Sequence, residues 1–324
     1  MRLIDLHCDT IWMLTREEGA NLRNNCFCVD IEKLKSVGSM AQFFACFIYL
    51  NEIASEERWE IGYQLALDMI KRGKVEFATC SDEISLALSY DDMVTNYAKG
   101  KLSAFLTVEE GGILNGDLNR LQTLYDEGIR LITPTWNHEN CIGYPNSKDE
   151  AFMQKGLKLF GIEVVEKMNQ LGMIIDVSHL SDGGFWDVLT YSKKPVVASH
   201  SNARSLCSHP RNLSDEMIKA LADKGGIAGV NFYPYFINKA GKATAEDIAE
   251  HVMHMYKVGG EDFIAVGTDF DGFDEGELEI AHMGEIGKLY EAVKRRGLSE
   301  RQMEKFWSGN AMRVINEVLS THCG

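Results

Sequence analysis

Six residues able to bind a metal ion or carry a proton stand where apolar segments of the chain end. His7 and Asp9 close the run Leu3-Ile4-Asp5-Leu6-His7-Cys8-Asp9, and Glu109, His179, His200 and Asp269 each end another apolar run. Neutral imidazoles and carboxylates held on rigid segments are the donors a hydrolytic metal centre uses, with one coordination position left open for water. In His7-x-Asp9 the spacing of two sends both side chains to the same side of a strand, so an imidazole and a carboxylate can grip one ion. His179 and His200 suit a second ion, and Glu109 falls where a carboxylate could serve both. Two ions roughly 3.5–4 Å apart can share a hydroxide and activate it near neutral pH. Asp269 is then placed to take a proton from the water and pass it to the leaving group. Asp271 competes for that role in Gly267-Thr-Asp-Phe-Asp-Gly272, but Asp269 follows the apolar run directly.

Such a constellation needs elements that converge. Apolar, β-branched or aromatic runs of strand length fall near residues 3–7, 42–49, 103–109, 130–135, 173–178, 195–199, 227–232 and 263–268. Helical periodicity fills most of the intervals, over 56–72, 117–127, 152–171, 214–224 and 245–258. Ser214-Asp215-Glu216 opens one of these helices, and Gly172 and Gly225 follow the ends of two others. Strands alternating with helices imply parallel pairing through right-handed crossovers. The candidates end the first, third, fifth, sixth and eighth strands. An open sheet would gather them at one switch point, so the α/β fold expected is a (β/α)8 barrel of the TIM type, with its site at the carboxyl ends of the strands. Residues 1–324 read as a single barrel domain. Additional C-terminal helices over 280–320 are expected to cover the barrel's outside. Residues 51–100 read as one long helix, an extended piece from Val75 to Cys80 and a second helix, an insertion or an elaborated second unit.

A formal net charge of −15 argues against a nucleic-acid partner, which needs clustered Lys and Arg. No apolar run approaches the roughly 18 residues of a membrane span. Met1-Arg2-Leu3-Ile4-Asp5 runs straight into a strand without the pattern of a secretory signal. The eight cysteines lack regular spacing and read as reduced thiols, so a cytoplasmic protein is expected.

The remaining histidines are weaker candidates. His251 and His254, three apart on an outer helix, are expected at the solvated surface. His209 precedes Pro210 in a loop, His282 falls in the late helices, and His322 lies in the tail beside Cys323. His138, in Thr135-Trp136-Asn137-His138, follows the fourth strand at the catalytic end and is a candidate to hydrogen-bond a substrate.

Over nearly its whole length the chain resembles the membrane (renal) dipeptidase family, metallopeptidases on an amidohydrolase-type barrel. The resemblance rests on Asp5-Leu-His-Cys-Asp9-Thr10, Val108-Glu109 with its Gly-Gly, Ile175-Asp-Val-Ser-His179 and Pro195-Val-Val-Ala-Ser-His200-Ser201. It continues through Arg211-Asn212, Val230-Asn-Phe-Tyr233 and Gly267-Thr-Asp269-Phe-Asp-Gly272. It implies a zinc-dependent dipeptidase with two divalent ions. His7 and Asp9 would hold one ion and His179 and His200 the other, with Glu109 bridging and Asp269 moving the proton. It further implies that Arg211 holds the terminal carboxylate of a free dipeptide, and that a homodimer can form. The L or D preference at the second residue stays open, as does the native metal among zinc, manganese, cobalt and iron.

Three features depart from the family pattern. Glu109-Glu110-Gly111-Gly112 carries two glutamates, so Glu110 rivals Glu109 as the bridge. Trp136 occupies the place where mammalian members have a substrate-contacting histidine, which puts that role in doubt or moves it to His138. Those members are also secreted, lipid-anchored and disulfide-linked, whereas this chain looks like a soluble microbial relative. Two rival readings are an amidohydrolase acting on a lactam, lactone or cyclic amide, and a barrel that binds metal without catalysis. Many enzymes of the first kind use His-x-His and a carboxylated lysine, against the His-x-Asp and Glu here. The retained Asp269 weighs against the second.

Overall fold

The strand-length runs of the sequence become eight parallel strands. They are β1 (Leu3–Cys8), β2 (Ser39–Phe47), β3 (Leu102–Glu109), β4 (Ile129–Thr133), β5 (Ile174–Ile175), β6 (Val197–Ala198), β7 (Ile227–Val230) and β8 (Ile264–Val266). The computed structural model describes residues 2–53, 57–274 and 276–320, so His322 and Cys323 lie outside the described residues. Neighbours pair in parallel in the order β5-β4-β3-β2-β1-β8-β7-β6. A parallel bridge between Asp176 and Val197, with the Val177 N–H donating to the Val197 carbonyl at 2.8 Å, brings β5 to β6 and nearly closes the ring. Every residue of β2 and β3 is buried, as strands between a filled barrel interior and an outer layer of helices must be. The (β/α)8 expectation holds; a short extra strand, Ile84–Leu86, pairs with β3, and Lys242–Ala243 and Glu277–Leu278 pair in a separate two-stranded sheet.

The interior toward the amino-terminal ends of the strands is apolar. Ile4, Phe43, Phe105, Leu131, Ile174, Val197, Ile227 and Ala265, one from each strand, belong to one buried cluster, with the Phe43 and Phe105 rings stacked at 4.7 Å. Ala311, Val314, Ile315 and Val318 of the last helix, Asn310–Leu319, join it. Their spacing makes a single helical stripe. This helix therefore plugs the floor of the barrel, correcting the expectation that all the late helices lie outside it. The helix Gly287–Arg295 does lie outside, against the helix Ala245–Gly259.

Two other expectations change. Val75 to Cys80 is not extended: Val75–Thr79 belongs to the helix Arg58–Thr79, whose buried Gly62, Ala66, Met69, Ile70, Gly73 and Phe77 form a continuous stripe. The helix expected over 152–171 is broken into Glu150–Met153 and Leu159–Leu171. Between them the Leu157 N–H donates to Asp187 Oδ2 at 2.7 Å and the Lys158 N–H to the Ile142 carbonyl at 2.8 Å, partners distant in sequence. The start and stop signals hold. Ser214 Oγ caps Asp215–Asp223 by accepting from Met217 N–H, and Gly172 and Gly225 take left-handed φ of 69° and 76°. Among the described residues no helix is long and apolar enough to cross a membrane, and the seven described cysteines are free thiols.

Candidate metal centre

The carboxyl ends of β1, β3, β5, β6 and β8 deliver the six candidates to one place. Glu109 Oε1 lies 2.8 Å from His179 Nε2 and 3.5 Å from His200 Nε2, while its Oε2 lies 3.4 Å from His7 Nε2. The same His7 nitrogen is 3.4 Å from Asp9 Oδ2 and 3.8 Å from Asp269 Oδ1. Two donor groups result, Glu109–His179–His200 and His7–Asp9–Asp269, each with its atoms within 4.8 Å of one another. A third grouping, His7–Asp176–His200, is of another kind. The Asp176 carboxylate already accepts from Thr133 Oγ1, the Ser178 N–H and Oγ, and the Ser199 N–H and Oγ, at 2.6–3.0 Å.

The donor atoms fit a cation. Both ring nitrogens of His7 and Oδ1 of Asp9 are buried without a hydrogen-bond partner, an expensive condition unless something else satisfies them. Burial, with Glu109 and Asp269 adding repulsion, pushes the Asp9 carboxyl up to about 8. Burial likewise pulls His179 down to about 4 and lowers His200. Neutral imidazoles are what a metal needs; His7, which burial lowers but Asp9 and Glu109 raise on balance, must give up a proton for an ion to bind. Ser199 Oγ stands 2.7 Å from Asp176 Oδ2 and 2.6 Å from His200 Nδ1. With the hydroxyl proton given to the carboxylate, the oxygen accepts from Nδ1–H, which leaves the Nε2 lone pair free toward the centre.

The backbone explains which carboxylates face inward. Glu109 ends β3 on the same face as Phe105, two alternations on. Glu110 takes φ 100°, which turns its buried side chain away to accept from Gly112 N–H, Trp136 N–H and Asn140 Nδ2. Asp269 and Asp271 both adopt left-handed φ, 61° and 68°. Asp269 thereby points at His7, with its Oδ2 accepting from Asn231 Nδ2 at 2.8 Å. Asp271 points away and accepts from Thr10 Oγ1 at 2.6 Å and the Cys28 N–H at 2.7 Å, fastening the loop. Gly272 is required beside them, because a Cβ there would press on the Asp9 and Asp269 carboxylates. Burial raises Asp269 to about 6.

Arg211 is buried beside His200 and behind Phe236, which lines the cavity over the centre, and is not itself one of the lining residues. Its guanidinium reaches only Ser201 Oγ at 3.4 Å and the His200 carbonyl at 3.2 Å, its Nε has no partner, and its charge lies 5.3 Å from the Phe236 ring centre. Among the described residues no carboxylate forms an ion pair with it. Burial lowers its pKa to about 10, so it stays cationic at neutral pH. A cavity of about 400 Å³ lies over the centre, lined by Asp9, Glu109, His179, Asp269, Phe47, Tyr49, Trp136, Asn137, Tyr233 and Phe236 among others.

His138 is not among these lining residues. Its Nε2 lies 2.9 Å from Asn51 Oδ1, and Trp136 and Asn137 form the wall instead. His251, expected at the surface, is buried: it accepts from the Ala203 N–H at Nδ1 and pairs with the Ile237 carbonyl at Nε2. His254, facing Asp215 at 2.8 Å, does lie at the surface. His209 accepts from the Arg211 N–H at 3.2 Å. Sequence reasoning assigned no role to Ser199, Asn231 or Asn137, whose Oδ1 is 3.3 Å from His179 Nδ1. Asn231 directly follows β7, the same signal that marked the candidate ligands.

Comparison with known proteins gives a consistent family. The sequence profile of the membrane dipeptidase family, peptidase family M19, matches residues 1–322. An uncharacterized dipeptidase of Schizosaccharomyces pombe is 31% identical over 302 residues, covering 88% of this chain and 71% of its own length. The solved structure of dipeptidase AC, a metallopeptidase of family M19, superposes with a TM-score of 0.89 at 24% identity, over 98% of this chain and 99% of that one. A Rhodobacter sphaeroides metallopeptidase bound to a phosphinate mimic of L-Ala-D-Ala superposes with a TM-score of 0.88 at 22% identity, over 98% and 99%.

Proposed function

The chain belongs to the membrane dipeptidase family, peptidase family M19, and from that premise we propose a metal-dependent dipeptidase that cleaves free dipeptides at a centre of two zinc ions. The observation that carries this reading is the position of Glu109. One of its oxygens faces His179 and His200 and the other faces His7, the arrangement a carboxylate shared between two ions requires. His7 and Asp9 would hold one ion, and His179 and His200 the other. Ions bound there supply Lewis acidity for the scissile carbonyl and lower the pKa of an attacking water.

The rest of the work falls to the chain. Asp269, raised to about 6 by burial, is suited to take a proton from water near neutral pH and return it to the departing amine. Asn231 fixes its other oxygen. Arg211 offers an unpaired buried guanidinium to the substrate's terminal carboxylate, a charge-assisted contact of the strong kind. A free carboxylate so held limits cleavage to dipeptides. On the β4 side, substrate contact falls to Trp136 and Asn137, in place of His138. The cavity of about 400 Å³ is of small-ligand size.

The test joins metal analysis to a substrate panel. The purified protein is stripped with a chelator and restored with zinc, then assayed on free and C-terminally amidated dipeptides. Two ions per chain and turnover confined to the free dipeptides are expected. With zinc bound, turnover of no dipeptide would sink the enzymatic reading, and equal turnover of amidated ones would remove the role of Arg211.

A further inference from the structure

We propose that a second cavity beside the metal centre is the subsite for the side chain of the substrate's first residue, and that it selects a large aromatic one. The inference rests on the dipeptidase reading and on Arg211 as the carboxylate anchor. The cavity holds about 590 Å³ and is walled by six aromatic residues, Trp12, Phe27, Phe47, Tyr49, Trp136 and Phe273. Four of them, Phe47, Tyr49, Trp136 and Phe273, also line the cavity over the centre, so the two chambers meet along that wall.

The topology gives the direction of the substrate. Arg211 follows β6, and in a ring of eight strands β6 stands opposite β2. Phe47 ends β2, Tyr49 lies two residues further on, and Trp12 belongs to the helix after β1. A dipeptide with its carboxylate at Arg211 and its amide over the ligands must extend its first residue toward β1 and β2. One residue of extended chain reaches about 3.3–3.6 Å, so the first side chain arrives at the shared aromatic wall.

The chemistry of the chamber gives the class of side chain. Trp12 meets Phe47 at 5.4 Å and 71°, Phe47 meets Trp136 at 5.0 Å and 69°, and Tyr49 meets Trp136 at 5.4 Å and 69°. Rings crossed in this way expose both faces and edges, the surfaces another aromatic ring binds best. Of the charged residues lining the chamber, Asp274 is exposed on the edge shared with the cavity over the centre, and the others have partners. Arg16 pairs with both oxygens of Glu52 at 2.7 and 3.0 Å and lies 4.7 Å from the Trp12 ring centre. Asp271 is held by Thr10 and the Cys28 N–H. Apart from Asp274, the rings are what remains to recognise a side chain.

The zinc-loaded enzyme is assayed for kcat/KM on Gly-Ala, Phe-Ala, Trp-Ala, Lys-Ala and Ala-Phe. Phe-Ala and Trp-Ala are expected to exceed Gly-Ala by about ten- to a hundredfold. Trp12→Ala should bring that ratio toward one. Cys26→Trp, at an exposed position lining the chamber, should narrow the chamber and lower the ratio without disturbing the core. Equal rates on Phe-Ala and Gly-Ala, a preference for Lys-Ala, or a gain for Ala-Phe as large as for Phe-Ala would each overturn the subsite while leaving the dipeptidase intact. Failure to cleave any of the five would instead remove the dipeptidase premise itself.

Discussion

The two ends of the barrel are made by the same strands and hold opposite interiors. On β3, Phe105 belongs to the apolar floor and Glu109, on the same face, to the charged mouth. On β2 the same step leads from Phe43, stacked on Phe105, to Phe47 at the cavity wall. The floor cluster is made of apolar side chains packed on one another. At the mouth His7 and Asp9 keep buried polar atoms without partners. The difference teaches where the free energy of folding comes from. The floor supplies it, and the mouth draws on it to keep unpaired donors in position.

Three measurements can break or sharpen that contrast. The largest effect is expected at the floor. Phe105→Ala should cost about 3–5 kcal/mol in denaturant unfolding, with metal content per folded molecule unchanged; loss of metal in parallel with stability would show that the two ends are not separable. At the mouth the sign should reverse. Asp9→Asn removes a carboxyl whose ionised form is disfavoured by burial and by its acidic neighbours. It should raise the melting temperature of the metal-free protein at pH 8 while lowering activity by more than about a hundredfold, beyond the loss typical of a residue supporting a ligand. A lower metal-free melting temperature would count against the contrast.

The smallest effect is a slope. Asp9 and Asp269 titrate at about 8 and about 6 in the folded chain, above the unfolded value of 3.8. Groups raised in this way stabilise the fold fully below the unfolded pKa and cease to do so as pH rises through the folded pKa. His179 and His200 are lowered, so their contribution is lost only as pH falls below 6.5. His7 is raised as well, the pull of burial being outweighed by Asp9 and Glu109, and loses its contribution over the same rise. Between pH 6.5 and 8.5 the metal-free protein should therefore lose stability at about 1 kcal/mol per pH unit or more. Zinc should flatten that slope in thermal melts, and a slope unchanged by zinc would detach these carboxylates from the metal.

The gathering of the six candidates was legible because each follows a strand, and strand ends are marked by local apolar runs. His251 was misread although the signal was present: it lies three residues after Ile248 and four before Met255, on the buried stripe of its helix. Val75–Thr79 likewise continues a helical stripe that its β-branched and aromatic residues obscure. Other features were beyond local reading. Glu109 and Glu110 differ only in a left-handed φ at the second, set by contacts with Gly112, Trp136 and Asn140. The break before Leu159 depends on Asp187, thirty residues away in the chain. The aromatic chamber joins loops after β1, β2, β4 and β8, which no single segment reveals.

The plugging of the floor by Asn310–Leu319 also bears on the order in which the protein is made. All eight strands emerge during synthesis before residue 310, so a nascent barrel has its mouth residues translated while its floor still faces water. Its exposed Phe43, Phe105 and Ile227 are then surface open to wrong association. The helix Asn310–Leu319 acts as a stopper, covering that apolar surface once it is seated.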